Sequence, residues 1–156
     1  MKKVVLGVGN RLSRDDGAGP SLIDRMRDMA WTAIDAGTSL ENLSGKIREM
    51  VPDLLVIADA AEMGLPPGSL RRLPLDATDR MLASTHGLPL LFVIGMFRSA
   101  ARDTVLIGVE PGDLSLGEGL SPPVQAAVDR LRHLLETDAI DRIPTLEDRG
   151  PEGAAR

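Results

Sequence analysis

The chain has 156 residues, 43% of them hydrophobic and 26% charged, and carries a net charge of −5. That length suits one domain with its own core, and the composition excludes a wholly disordered chain; two Phe, one Trp, no Tyr and an acidic balance exclude the basic, stacking surface that nucleic acid requires. Cysteine is absent, which excludes disulfides, thiolate catalysis, Cys-based zinc sites and iron–sulfur clusters, so any metal must be held by oxygen and imidazole.

The chain opens with Met1, Lys2 and Lys3 and then Val4-Val5-Leu6-Gly7, too short an apolar run for a signal peptide and without a cleavage pattern. No run approaches the ~20 apolar residues of a membrane span. A cytoplasmic location without membrane contact is expected. Residues 3 to 8 are apolar without alternation, the pattern of a strand covered on both faces. A glycine-rich turn follows, and then Leu22, Ile23, Met26 and Met29 recur at helical spacing, with Pro20 suited to a first turn. The first helix is predicted from about Gly17 to Met29.

Trp31 to Ile34 reads as a second strand, and Thr38 with Glu41 as a capping box ahead of Leu40, Leu43, Ile47 and Met50, a one-sided apolar stripe ending near Pro52. Leu54 to Ala58 is a second continuous apolar run and delivers Asp59 at its carboxyl end. A Pro/Gly turn leads to a weaker strand at 69–73, suited to a sheet edge. Residues 74–85 read as a polar loop closing on Ser84, Thr85 and His86. From Leu88 to Phe97 the chain is apolar almost all round, which predicts a deeply packed helix.

Thr104 to Val109 is the last strong strand, closed by Glu110-Pro111-Gly112. Ser121 is placed to cap a final helix, with Pro122 in its first turn and Val124, Val128, Leu131 and Leu135 on one face. Five strands alternating with helices predict an α/β three-layer sandwich: a mostly parallel five-stranded sheet with helices on both faces, in one domain over 1–137. The alternation of charge, Pro and Gly in 138–156 predicts a flexible tail.

Ligands of such sheets bind at the carboxyl edge of the strands. Asn10 and Asp16 follow strand one, Asp59 ends strand three, and His86 precedes a helix, so all can reach that edge. Gly7-x-Gly9 begins a dinucleotide fingerprint, but its third glycine is replaced by Leu12, and Asp15 and Asp16 put negative charge where a phosphate would sit. Acids also stabilise helix N-termini as caps, a role open to either one, and Asp59 could be a plain turn former.

Of the two histidines, His133 lies in the amphipathic last helix beside Arg132 and reads as a surface residue. Two carboxylates and one imidazole, Asp16, Asp59 and His86, make a three-ligand set for a divalent metal with an open position, or an acid–base set without one. Ser13, Ser84 and Thr85 are nucleophile candidates, but no Gly-x-Ser-x-Gly elbow surrounds any of them.

Four blocks, the stretch from Gly7 to Pro20, Asp59 to Gly64, Thr85 to Leu90 and Gly108 to Pro111, together resemble the hydrogenase maturation endopeptidases, in the family's order and spanning about residues 1 to 135. The likeness is greatest to the type that processes the large subunit in formate hydrogenlyase systems. The resemblance implies an α/β sandwich and a cytoplasmic endopeptidase, and a monomer is expected. Its partner would be the precursor of a [NiFe]-hydrogenase large subunit, whose C-terminal extension it removes once nickel has been inserted.

The family's metal-binding positions map to Asp16, Asp59 and His86. These would engage the nickel carried by the precursor, with one carboxylate as general base and Asn10 toward the substrate; a resident metal is not implied. Two other classes fit the same residues: a non-catalytic nickel-checking chaperone and a small-molecule hydrolase on the same fold.

Overall fold

Five strands form one sheet in the order β2-β1-β3-β5-β4. They are β1 (Lys3–Val8), β2 (Thr32–Gly37), β3 (Leu54–Ala60), β4 (Leu70–Leu73) and β5 (Asp103–Val109). The structure, a computed structural model, describes residues 1–75 and 95–146. β1 pairs in parallel with β2 and β3, and β3 with β5, whereas β4 runs antiparallel along β5 at the edge.

Successive residues of a strand face opposite sides of the sheet, which is why the central strands are apolar throughout. Val4, Leu6, Leu55, Ile57 and Leu106 enter one core with Leu40, Ile47 and Phe97. Val5, Val56, Ile107 and Val109 enter the other with Leu22, Met26, Trp31, Val124, Val128 and Leu131. Helices α1 (Ala18–Asp24) and α3 (Pro122–Glu136) thus cover one face, and α2 (Ser44–Met50) with the helical residues 95–98 covers the other. This is the three-layer α/β sandwich expected from the alternation of elements.

Element ends differ from the sequence reading for local reasons. A 3-10 turn, Arg14–Gly17, precedes α1, and beyond Asp24 the bonds tighten to three-residue spacing, Arg25 N to Leu22 O and Met26 N to Ile23 O. Met26 remains buried, so the apolar period survives a change of helix type. The Thr38–Glu41 capping box does not start a helix. A 3-10 turn, Leu40–Leu43, intervenes, and neither it nor α2 receives a side-chain cap bond.

The domain was expected to end at 137, but the described chain goes on packing to Leu146. Ile143 and Leu146 are buried, Arg72 N donates to Pro144 O at 2.9 Å, and Leu146 N donates to Arg72 O at 2.8 Å. The segment thereby lies along the free side of β4. The expected loop to residue 85, His86 and most of the helix over 88–97 lie outside the described residues. Among the described residues no helix is long and apolar enough to cross a membrane.

α2 ends at Val51, which adopts a left-handed backbone (φ 45°) just before Pro52, with its side chain exposed. A β-branched residue is poorly suited to that region, where Gly or Asn usually closes a helix. Val51→Gly is expected to raise stability by about 0.5–1 kcal/mol, after the entropy Gly loses on folding is subtracted. The check is urea unfolding: the midpoint should rise at constant slope, and a fall would refute strain at this cap.

Candidate active site at the carboxyl edge of the sheet

The glycine turn after β1 is built by close backbone approach. Gly7 faces the carbonyl of Gly19, and a Cβ at either residue would overlap backbone. At Gly19 it would come within 2.7 Å of the Ala58 carbonyl in β3. Gly9, at φ 147°, lies against the Asp16 carbonyl and donates its N–H to Gly37 O at 2.8 Å. The glycines therefore press the start of α1 onto β1 and β3, and a phosphate is not needed to account for them.

Asp16 is buried, and its Oδ2 accepts the backbone N–H of Asn10 at 3.0 Å. That N–H is the kind of donor a phosphate loop would offer its ligand, and here the chain's own carboxylate takes it. Asn10 Oδ1 accepts from Leu12 N at 2.9 Å, an Asx turn that ties the side chain to its own loop. Asp59 is buried near the carboxyl end of β3, opposite Gly108 of β5, and the 3-10 turn carrying Asp16 packs against β3. Asn10, Asp16 and Asp59 thus meet at one edge, as expected.

The third member of the expected set, His86, lies outside the described residues, as do Ser84 and Thr85. Among the described residues no three His, Cys, Asp or Glu side chains form a group able to hold a metal ion. Ser13 pairs through its backbone with Gly117. His133 is exposed on α3, in agreement with its reading as a surface residue.

Asp15, which the sequence left undecided, makes no cap bond to its own helix. Its carboxylate is fully buried and collects four hydrogen bonds from a distant loop. Gly112 N and Asp113 N donate to Oδ2 at 2.8 Å each, Ser121 Oγ donates to Oδ2 at 2.7 Å, and Ser121 N to Oδ1 at 2.7 Å. Ser121 does precede α3, but its hydroxyl serves Asp15 and makes no cap bond to the helix. Burial acts to raise the Asp15 pKa, and the bonds from Ser121, Asp113 and Gly112 outweigh it, leaving the pKa below the usual Asp value.

Glu110 is a buried acid at the same edge whose role the sequence reading missed. Its Oε1 accepts from Met63 N at 2.8 Å and Leu65 N at 2.9 Å, fastening the loop that follows Asp59. Burial raises its pKa, those N–H groups oppose the rise, and the neighbouring charge of Glu62 adds to it. The available signal was positional: Glu110 directly follows an apolar strand, as Asp59 closes one.

Two pH-dependent outcomes follow from these acids. Asn in place of Asp15 offers one acceptor and turns its amide toward donors, so Asp15→Asn should cost about 2–3 kcal/mol at pH 7. Because the folded pKa is lowered, this contribution is complete above the unfolded value near ~4 and disappears as pH falls through the folded value. Urea unfolding from pH 7 to pH 2.5 should show the gap between wild type and variant closing in acid; a constant gap would contradict the assignment. For Glu110 the sign reverses, since its folded pKa is raised. Glu110→Gln keeps an acceptor for both N–H groups and should gain stability at pH 7, with the gain vanishing by pH 3. A loss at pH 7 would count against it.

Comparison with known proteins agrees with this fold. A family model described as "Hydrogenase maturation protease" matches residues 20–138. The hydrogenase 3 maturation protease of Escherichia coli K12 is 34% identical over 140 residues, covering 87% of this chain and 90% of that protein. The solution structure of the endopeptidase HycI from Escherichia coli superposes with a TM-score of 0.87 at 31% identity, over 96% of this chain and 99% of that one. A [NiFe] hydrogenase maturation protease, HycI from Thermococcus kodakarensis, gives 0.77 at 30% identity, over 88% and 92%. The protein is a peptidase and belongs to the hydrogenase maturation protease family.

Proposed function

We propose that this peptidase removes the C-terminal extension from the large-subunit precursor of a [NiFe]-hydrogenase, as a cytoplasmic monomer, once nickel has been placed in that precursor. The observation that carries the reading is that two buried carboxylates, Asp16 and Asp59, lie at the carboxyl edge on elements that pack together, with the backbone N–H of Asn10 bound to Asp16. Oxygen and imidazole donors suit a divalent nickel ion, and Asp16, Asp59 and His86 would supply them. Nickel in this scheme belongs to the substrate and reports that the precursor is loaded.

Engagement of that ion would hold the adjacent peptide bond against the carboxyl edge, turning a bimolecular encounter into a positioned one. A water molecule adds to the scissile carbonyl while one of the two carboxylates takes its proton. Asn10 donates an N–H from its amide to the oxygen that becomes negative. The proton then passes to the leaving nitrogen as the carbon–nitrogen bond breaks, giving a carboxylate and an amine. Asp15 takes no proton in this scheme, because its oxygens are filled by four donors.

Purified protein given nickel-loaded and nickel-free precursor, with the extension followed by mass spectrometry, should cut only the loaded form. Equal cutting would refute nickel gating, and tight binding without cutting would indicate a checking chaperone. Asp16→Asn, Asp59→Asn and His86→Ala should each lower kcat by about 10²-fold or more at unchanged fold. Normal turnover in any of them would remove that residue from the site.

A further inference from the structure

Asp15 is a fully buried charge held by four donors from a loop remote in sequence, and the mechanism above gives it no proton to carry. What it fastens is the turn that carries Asp16. That turn is closed on itself: Ser13 N donates to Asn10 O at 3.1 Å, Asp16 N to Ser13 O at 3.0 Å, and Asn10 N to Asp16 Oδ2 at 3.0 Å. Its other attachments run to the loop 112–121. Asp15 N donates to Asp113 O at 3.0 Å, Arg14 N to Gly117 O at 3.0 Å, and Gly117 N to Leu12 O at 2.8 Å.

Between these attachments lies a strained residue. Arg14 has a left-handed backbone (φ 44°), a conformation disfavoured for a residue with a Cβ, which persists where its surroundings fix it from several sides. The fixing groups are visible. Arg14 N is bound to Gly117, its guanidinium lies so close to Gly117 that a Cβ there would come within 2.8 Å of Nη2, and the next residue is clasped through both carboxylate oxygens. Relaxation of Arg14 to a right-handed or extended backbone would rotate the peptide plane it shares with Asp15 and carry the Asp16 carboxylate off the Asn10 N–H.

We infer that Asp15 is a positioning residue for the reaction: through its bonds to Gly112, Asp113 and Ser121 it holds Arg14 left-handed and so sets where the Asp16 carboxylate stands. The kinetic consequence rests on the peptidase reading above. A reacting group displaced by roughly 1 Å can cost about 10²-fold in rate, so a grip on the neighbouring backbone bears on turnover. Ser121 gives separate access to that grip, because its hydroxyl bonds Asp15 and makes no cap bond to α3.

The test uses the full chain. Ser121→Ala removes one of the four donors, Ser121→Thr keeps the hydroxyl, and Asp15→Asn is the stronger lesion. Trp31→Phe is the control: it deletes the bond from Trp31 Nε1 to Leu135 O at 3.3 Å, buried just before β2 at the opposite edge of the sheet. Amide exchange at Asn10, followed by NMR, reads the bond to Asp16 directly. The rate should rise at least about tenfold in Ser121→Ala and further in Asp15→Asn, and stay at the wild-type value in Ser121→Thr and Trp31→Phe. With nickel-loaded precursor, kcat should fall about tenfold in Ser121→Ala and about 10²-fold in Asp15→Asn, with KM within about twofold and Ser121→Thr turning over as wild type. An unchanged exchange rate in both Ser121→Ala and Asp15→Asn would overturn the inference. So would a raised exchange rate at unchanged kcat, or an equal fall in kcat for Trp31→Phe, which would trace the effect to stability. Failure of wild type to cut the precursor would count against the proposed function alone, because the Asn10 exchange rate still reads the hold of Asp15 on Asp16.

Discussion

Everything at the carboxyl edge depends on how closely the first helix lies on the sheet. Three glycines, Gly7, Gly9 and Gly19, remove the side chains that would otherwise separate the turn and α1 from β1 and β3. With those gaps closed, the 3-10 turn between them is short, and its two acids leave the backbone in different directions. Three residues per turn separate adjacent side chains by roughly a third of a revolution. Asp16 accordingly meets the Asn10 amide near β3, and Asp15 meets the loop that follows β5.

The two neighbours solve opposite electrostatic problems. Asp15 is a buried charge made tolerable by saturation: four donors, two of them from Ser121, replace the water it has lost. Asp16 Oδ2 accepts the backbone N–H of Asn10, and the residue is buried at the edge where Asp59 also lies. A saturated carboxylate is a fixed strut. Of the acidic pair, the first member holds the loop after β5 in register with the glycine turn.

The strands were legible because a sheet covered on both faces demands uninterrupted apolar runs, and Leu54–Ala58 could hardly be read otherwise. Asp59 was legible for the same reason, as a polar residue breaking into such a run, and the Asn10–Asp16 arm through its glycines. The role of Asp15 was not. Its partners lie 97 to 106 residues away, and three of the four donors are backbone N–H groups, which leave no trace in side-chain identity. Ser121 followed by proline has the form of a cap, and only the three-dimensional position of Asp15 redirects its hydroxyl. The capping box at Thr38 failed likewise, because a motif four residues long carries no information about a 3-10 turn inserted before the helix. The packing of 140–146 escaped notice because Ile143 and Leu146 are isolated apolar residues in a charged segment, without a period to mark them.

That last segment has a consequence for handling the protein. β4 is the only antiparallel strand of the described sheet and has β5 on one side. On its other side the N–H and carbonyl of Arg72 are taken by Pro144 and Leu146, and the Arg72 guanidinium reaches back to Ile143 O at 2.8 Å. An uncovered strand edge is a template for pairing with another molecule. A chain shortened to the end of α3 would keep every residue of the carboxyl edge and still lose this cover, so its first defect would be colloidal: strand-to-strand association in concentrated solution, with the peptidase machinery intact inside the aggregates.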